Sequence, residues 1–259
     1  MLPLVEARWP APGGVRAFCT TRRGGVSTAP FDSLNLALHV GDSASAVNAN
    51  RERLRSEVEA DTAVFWLAQV HGTQVVEAAP DAFAGEIAVE ADAAWSRNPS
   101  VACAVLTADC LPVLFCGAGG DVVAAAHAGW RGLAAGVLEA TIAAMDIAPR
   151  DVLAWLGPAI GAASFEVGPE VRAAFLARAG TGRAAIDRCF TSGAARPGHF
   201  FADLYALARA RLALAGVRQV FGGNFCTYRQ SELFFSYRRD GVTGRMASVI
   251  RPRVAGGQR

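Results

Sequence analysis

Short apolar runs separated by turn-forming residues are the feature that most limits the folds open to this chain. The runs are rich in Val, Leu, Phe and Trp and are bounded by Gly, Pro or Asp, a pattern typical of β-strands. They predict strands over residues 15–20, 64–70, 101–106, 111–116, 122–126, 152–156 and 247–250.

Four further segments have the apolar periodicity of helices. They cover residues 44–59, 131–146, 169–178 and 203–215. Ser43 is a candidate cap for the first helix, and Asp203 is the expected N-cap of the last. Strands and helices do not alternate as βαβ units, and no GxGxxG follows the first strand. We therefore expect an α+β fold of layered mixed β-sheets with outer helices, formed by residues 1–259 as a single domain.

The chain contains no lysine, so its 25 basic residues are all arginine. This excludes a Walker-A phosphate loop and any chemistry that needs a lysine Schiff base. An anion must therefore be bound by arginine, by backbone N–H groups or by a metal ion.

Charge and hydropathy limit the partners and the compartment. The net charge is only +2 and the pI is near 8.3, so no nucleic-acid partner is expected. No run of about 18 apolar residues predicts a membrane span. The N-terminus lacks the basic and apolar regions of a secretory signal, so we expect a cytoplasmic protein. No pattern indicates an oligomeric state.

The reactive side chains lie in three short polar segments, each beside an apolar run. His71 lies in LAQVHGTQV, Cys110 in TADCLPVL and His127 in VVAAAHAGWRG. Two imidazoles and one thiolate are a suitable zinc set, and three protein ligands leave a fourth position open, as in catalytic zinc sites. The separations match no local zinc motif, so the residues alone leave two other interpretations open.

In one interpretation, Cys110 is simply a packed core thiol and the histidines are satisfied locally. In the other, Cys110 is a nucleophile without a metal, His127 or His71 is its base, and Asp109 or another carboxylate orients that base.

The motifs of the whole chain resemble those of the YfiH-like family, also labelled laccase-domain, polyphenol oxidase or purine nucleoside phosphorylase. The matching segments are TTRRGGVS (20–27), FDSLNLALHVGD (31–42), VNANR (47–51), QVHGT (69–73), AD (91–92), TADCLPVL (107–114), AAAHAGWRG (124–132), GPAIGAASFEVGPEV (157–171) and NFCTYRQSELFFSYRRDGVTGRMASVI (224–250). So long a series in one order is highly specific.

The resemblance implies a zinc site formed by His71, Cys110 and His127. It also implies phosphorolysis of adenosine, inosine, guanosine and methylthioadenosine, together with hydrolytic deamination of adenosine. The expected partners are thus a small-molecule nucleoside and phosphate. The implied fold is similar to the catalytic domain of cytotoxic necrotizing factor, which uses a Cys–His pair. That pair keeps a metal-independent Cys–His hydrolase open as an alternative. Some bacterial members resemble peptidoglycan editing factors, so the alternative enzyme would act on peptidoglycan precursors.

The laccase label can be tested by counting histidines. A coupled trinuclear copper cluster needs many imidazoles in addition to a blue-copper centre, whereas this chain has four histidines in total. A multicopper oxidase is therefore excluded. A single copper ion can still bind the His–Cys–His set, because copper stands above zinc in the affinity order.

Other residues are assigned from motif membership. Asp109 is the leading candidate for a catalytic acid or base, with Asp92 as the other, and Asp109 can instead hold a histidine tautomer. Arg22, Asn35 and Arg229 are the predicted substrate-binding residues. Because the chain has no lysine, arginine must supply the positive charge for phosphate, and the candidates within family motifs, with Arg22 ranked first, are Arg22, Arg131, Arg229 and Arg238. Asn35 can equally be a turn-capping residue, the commoner use of asparagine.

The aromatic residues Phe234, Phe235 and Tyr237 can stack on a purine, although core packing is their more common use. A third class of function is a non-catalytic zinc-binding protein. It requires a closed site, with Cys103 or Cys116 as the fourth ligand.

Overall fold

The computed structural model describes residues 1–59, 61–79 and 88–254. Its strands are β1 (Leu4–Glu6), β2 (Arg16–Thr20), β3 (Ala63–Phe65), β4 (Leu67–Ala68), β5 (Val75–Glu77), β6 (Val89–Glu90), β7 (Ala93–Ser96), β8 (Val101–Thr107), β9 (Leu111–Gly117), β10 (Val123–Ala128), β11 (Val152–Leu156), β12 (Glu166–Val167), β13 (Phe190–Thr191), β14 (Phe200–Ala202), β15 (Gln219–Gly222) and β16 (Met246–Arg251). Its helices are α1 (Ala44–Val58), α2 (Trp130–Ala135), α3 (Val137–Ala144), α4 (Pro169–Ala177), α5 (Arg183–Asp187), α6 (Leu204–Leu214) and α7 (Tyr237–Asp240).

Two mixed sheets form the centre of the molecule. One has the strand order β1-β2-β16-β8-β3, and the other has the order β15-β11-β9-β10-β7-β5. Alternate residues on each strand point to opposite faces of its sheet. The inner faces pack on each other through side chains such as Val105 of β8 and Leu114 of β9.

Helices cover the two outer faces. Leu54 of α1 packs against the five-stranded sheet through Ala104 and Leu106. Helices α2, α3, α4 and α6 cover the six-stranded sheet, where Phe115 and Leu138 share one core. The predicted class, α+β with layered mixed sheets and outer helices, is confirmed, while the likeness to cytotoxic necrotizing factor stays a prediction.

Several predicted elements differ in detail from the observed ones. The helix predicted over 131–146 is two helices, because Gly136 lies between them with a φ of 108°. The run 64–70 forms two short strands, β3 and β4. The Ser43 side chain does not cap α1, since its hydroxyl bonds to that of Ser45. Asp203 does cap α6, where its carboxylate accepts a hydrogen bond from the Ala206 N–H.

One connection between the sheets is central to the site. Strand β8 belongs to the five-stranded sheet and β9 to the six-stranded sheet, so residues 108–110 cross from one sheet to the other. Cys110 therefore lies where the chain crosses between the two sheets, and it is partly buried. Among the described residues, the structure contains no helix both long and apolar enough to cross a membrane.

Candidate metal centre

Three segments meet at this crossing between the sheets. Cys110 directly precedes β9, and His127 lies near the end of β10, opposite Pro112 of β9. His71 lies in the turn between β4 and β5, with a φ of 62°. Left-handed backbone is uncommon for a residue with a side chain and is often found where function needs it.

The side chains of His71, Cys110 and His127 form one cluster. Their candidate ligand atoms all lie within 4.8 Å of one another. The Cys110 Sγ is 3.9 Å from the His71 Nε2, and the two imidazole centroids are 4.7 Å apart. His127 is buried, Cys110 is partly buried and His71 is exposed, so one side of the cluster is open to solvent.

Asp92 holds both histidines through one fully buried carboxylate. Its Oδ1 is 2.8 Å from the His127 Nδ1 and accepts the His71 N–H at 2.9 Å. Its Oδ2 accepts the N–H groups of Val70 and Gly72. The bond to Nδ1 leaves the Nε2 of His127 free to bind a metal.

Asp109 has a different place from the one its motif suggested. Its carboxylate accepts hydrogen bonds from the Thr227 hydroxyl and the Arg238 N–H, both at 2.6 Å. Asp109 thus holds the segment that contains Thr227 and Arg238 next to Cys110. The residue that holds a histidine tautomer is Asp92, not Asp109. A catalytic role for Asp109 stays a prediction.

Gly129 allows the three segments to approach closely. A Cβ atom at this position would lie 3.0 Å from the Cys110 Sγ and 3.0 Å from the His71 Cδ2. Both distances are shorter than ordinary van der Waals contact. A larger residue would therefore push the thiol and the imidazole away from their positions.

The electrostatics favour an ionised thiol in the absence of a metal. Burial alone would raise the pKa of Cys110, but attraction to His127 and His71 lowers it to about 6. Burial would lower the pKa of His127, but Cys110 and Asp92 together raise it to about 9. For Asp92, the cost of burial is outweighed by hydrogen bonds from His127, Gly72 and His71, so its pKa is lowered.

A cavity of about 340 Å³ opens beside the cluster, and we call it the metal-site cavity. Besides the three clustered residues, it is lined by His39, Gln69, Leu106, Thr107, Ala108, Tyr237 and Arg245. Sequence reasoning assigned no role to His39 and did not consider Arg245, which the GRMAS motif could have indicated. Of the three aromatic residues considered for stacking, Tyr237 lines the cavity, whereas Phe234 and Phe235 are fully buried in the core.

The predicted substrate-binding residues do not line this cavity. The Arg22 guanidinium donates to the carbonyls of Asp32 and Ser231 and lies over the Phe235 ring. Arg229 lines a second, larger cavity of about 780 Å³.

Asn35 is fully buried, and its amide bonds to Ala37, Asp42 and the Arg245 N–H. This is the turn-forming use of asparagine. It nevertheless fixes the backbone of Arg245, which does line the metal-site cavity.

Comparison with known proteins adds a family to this geometry. Residues 16–253 match the family model described as multi-copper polyphenol oxidoreductase laccase. The chain is 54% identical to a purine nucleoside phosphorylase of Pseudomonas aeruginosa over 242 residues, covering 93% of this chain and 95% of that protein. It is 51% identical to the purine nucleoside phosphorylase YfiH of Escherichia coli, covering 96% and 99%.

A solved structure has the same fold over nearly the whole chain. The crystal structure of a Neisseria meningitidis protein superposes with a TM-score of 0.90 at 50% identity. The match covers 97% of this chain and 99% of that one.

Proposed function

The chain belongs to the family described as multi-copper polyphenol oxidoreductase laccase, and within that family we propose that it is a metal-dependent purine nucleoside phosphorylase that also deaminates adenosine. The observation that carries the proposal is the convergence of His71, Cys110 and His127 on an open cavity. The names of the relatives support the reaction class, because both are purine nucleoside phosphorylases.

The donor set fits zinc. Zinc prefers imidazole nitrogen and thiolate sulfur at about 2.0–2.3 Å, which places tetrahedral ligand atoms roughly 3.3–3.8 Å apart. The candidate atoms lie within 4.8 Å, so small side-chain movements of about 1 Å bring them to that spacing. Copper(II) can also bind imidazole and thiolate ligands.

The low pKa of Cys110 favours metal binding, because the thiolate is the ligand form. When bound, the metal supplies Lewis-acid chemistry: it polarises a substrate oxygen or a water molecule. The chain itself orients the ligands through Asp92 and leaves the exposed side of the cluster open for substrate.

Both proposed reactions balance without a redox partner. In phosphorolysis, a phosphate oxygen bonds to C1′ of the ribose while the bond from C1′ to the purine nitrogen breaks. The electron pair leaves with the base, which takes up, directly or through water, the proton that the phosphate gives up. In deamination, water adds at C6 and ammonia leaves. The exposed ring of Tyr237 at the cavity is suited to stack on a purine.

The proposal does not include the multi-copper chemistry that the family description names. Of its four histidines, His199 lies 3.3 Å from the Glu166 carboxylate and lines the larger cavity. The three others line the metal-site cavity. This supports one metal ion and no trinuclear cluster.

A metal-independent Cys–His hydrolase acting on peptidoglycan precursors is the second candidate. The observation that favours it is the chain of Asp92, His127 and Cys110. A buried carboxylate orients an imidazole whose pKa is raised, next to a thiol whose pKa is lowered. This is the arrangement of an activated cysteine nucleophile.

A closed structural zinc site has less support. The fourth ligand would have to be Cys103 or Cys116, which are fully buried within β8 and β9. Among the residues that the structure describes, neither joins the cluster of His71, Cys110 and His127.

A product assay separates these functions. Adenosine and inosine are incubated with the protein with and without phosphate, and free base and ammonia are measured separately. We expect base release only with phosphate, and ammonia from adenosine in either case. A Cys110→Ala variant should lose both activities, whereas Cys226→Ala, which removes another partly buried thiol, should keep them. If the unaltered protein forms neither product, the proposal fails and the hydrolase becomes the leading candidate.

A further inference from the structure

Arg245 is the one guanidinium among the described residues that line the metal-site cavity, and no Asp or Glu lines it with Arg245. The other lining side chains are imidazoles, a thiol, a phenol, an amide, a hydroxyl and apolar groups. The guanidinium is therefore a positive charge on the cavity wall that can attract an anionic ligand.

The Arg245 guanidinium is only partly satisfied by the protein. Its Nη1 donates to the carbonyls of Thr243 and Gly244, at 2.8 and 3.0 Å. Within the described residues its Nε and Nη2 have no hydrogen-bond acceptor, and it forms no ion pair with a carboxylate. By contrast, Arg209, also half-buried, uses both Nη groups on the carbonyls of Val220 and Gly222.

Burial makes this unpaired charge costly. Burial lowers the pKa of Arg245, while Cys110, Asp109 and Tyr237 act in the other direction. Among the described residues, no carboxylate forms an ion pair with this guanidinium, whose Cζ lies 5.8 Å from the centroid of the Tyr237 ring. Buried charges are normally paired, so its place beside an open cavity indicates a site for an anion.

The backbone holds Arg245 rigidly next to the cluster. Its N–H donates to the buried Asn35 amide oxygen at 3.0 Å. The next residue, Met246, begins β16 and pairs with Thr107 of β8, three residues before Cys110. Two strands of the five-stranded sheet thus hold the backbone of Arg245, and its Nη1 bonds to the Thr243 and Gly244 carbonyls hold the guanidinium. This favours binding of a bidentate ligand.

We infer that Arg245 binds the phosphate co-substrate, with its free Nε and Nη2 donating to two phosphate oxygens. This inference rests on the proposed phosphorylase function. His39 lines the same cavity, and its pKa is lowered by burial and by the charges of Arg245 and Arg51. A neutral His39 can donate one further hydrogen bond to the phosphate. The cavity volume, about 340 Å³, lies within the range of small-molecule sites, roughly 300–1,000 Å³.

The kinetic test compares Arg245→Gln with Arg209→Gln as the matched control. We expect Arg245→Gln to raise the KM for phosphate by about tenfold or more, because two charge-assisted hydrogen bonds are lost. The KM for inosine and the phosphate-independent release of ammonia from adenosine should change little. Arg209→Gln should leave the KM for phosphate unchanged. An unchanged KM for phosphate in Arg245→Gln contradicts the inference, even when nucleoside turnover itself is confirmed.

A binding test decides the inference without any turnover. Calorimetry measures the binding of inorganic phosphate to the unaltered protein and to Arg245→Gln, in the absence of any nucleoside. We expect binding to weaken by about tenfold or more in Arg245→Gln. Equal binding in the two proteins, or no binding to either, overturns the inference. The thermal midpoints of the variants verify that they are folded.

Discussion

At the scale of single residues, one carboxylate fixes both histidines of the site. Asp92 is bonded to the His127 ring and to the N–H groups of three consecutive residues around His71. Its low pKa keeps it ionised, so the His127 imidazole and the backbone of His71 depend on the same buried charge. Sequence reasoning considered Asp92 but ranked Asp109 above it, because a motif shows only that Asp109 adjoins Cys110 and not where its carboxylate points.

Replacing Asp92 with Asn tests this role. The amide is similar in shape but uncharged, and its NH2 group cannot accept the bonds that one carboxylate oxygen accepts now. We expect zinc affinity to fall by about 10–100-fold, the usual effect of losing a group that orients a metal ligand. Competition with a chromophoric chelator measures the change. If Asp109→Asn weakens zinc binding more than Asp92→Asn does, Asp92 is not the organising residue.

The two partly buried thiols should differ from the others in their reaction with iodoacetamide. In metal-free protein, Cys110 is a thiolate above its pKa of about 6, so its alkylation should rise through pH 6 and level off near neutrality. Cys226, whose pKa is also lowered, should react as well. Cys19 is buried and its pKa is raised to about 12, so it should stay unmodified.

Metal binding then distinguishes the two reactive thiols. Zinc should protect Cys110 and leave Cys226 reactive, as peptide mass spectrometry can measure. Protection of neither thiol would argue that Cys110 does not bind the metal.

At the scale of elements, the site depends on how strands end. The crossing from β8 to β9 presents Cys110, the end of β10 presents His127, and the turn after β4 presents His71. The sequence predicted these strand ends well, because apolar runs bounded by polar residues mark them. It did not predict that the helical segment after His127 breaks at Gly136, because apolar residues recur at helical spacing on both sides of this glycine.

Gly129 joins β10 to α2, and a substitution at this junction should have the clearest effect on the site. In Gly129→Ala, the new Cβ meets the Cys110 Sγ and the His71 Cδ2 at 3.0 Å each. We expect the protein to fold but to bind zinc at least about tenfold more weakly, since ligand geometry governs affinity. Gly13→Ala is the matched control, because nothing lies within 4 Å of its Cβ position. Equal zinc affinity in the two variants would contradict the close packing described for the site.

At the scale of the whole molecule, two packed sheets with outer helices hold the site at one end of their shared core. The class of this fold was predictable from the strand and helix patterns. The wall of the metal-site cavity was not, because His39 and the segment that carries Tyr237 and Arg245 come from distant parts of the chain. The pairing of β16 with β8 places Arg245 near the residues before Cys110, and no local pattern reveals that pairing. Motif membership alone likewise assigned Arg22 to substrate, although its guanidinium is used on carbonyls and an aromatic ring.

The most direct test of the central claim is phosphate-dependent release of base from inosine, measured on one preparation as purified, after metal removal and after zinc is restored. We expect about one metal ion per active chain, loss of base release with the metal, and recovery when zinc is added back. Full base release from metal-free protein would contradict the account, as would its absence from protein that carries the metal.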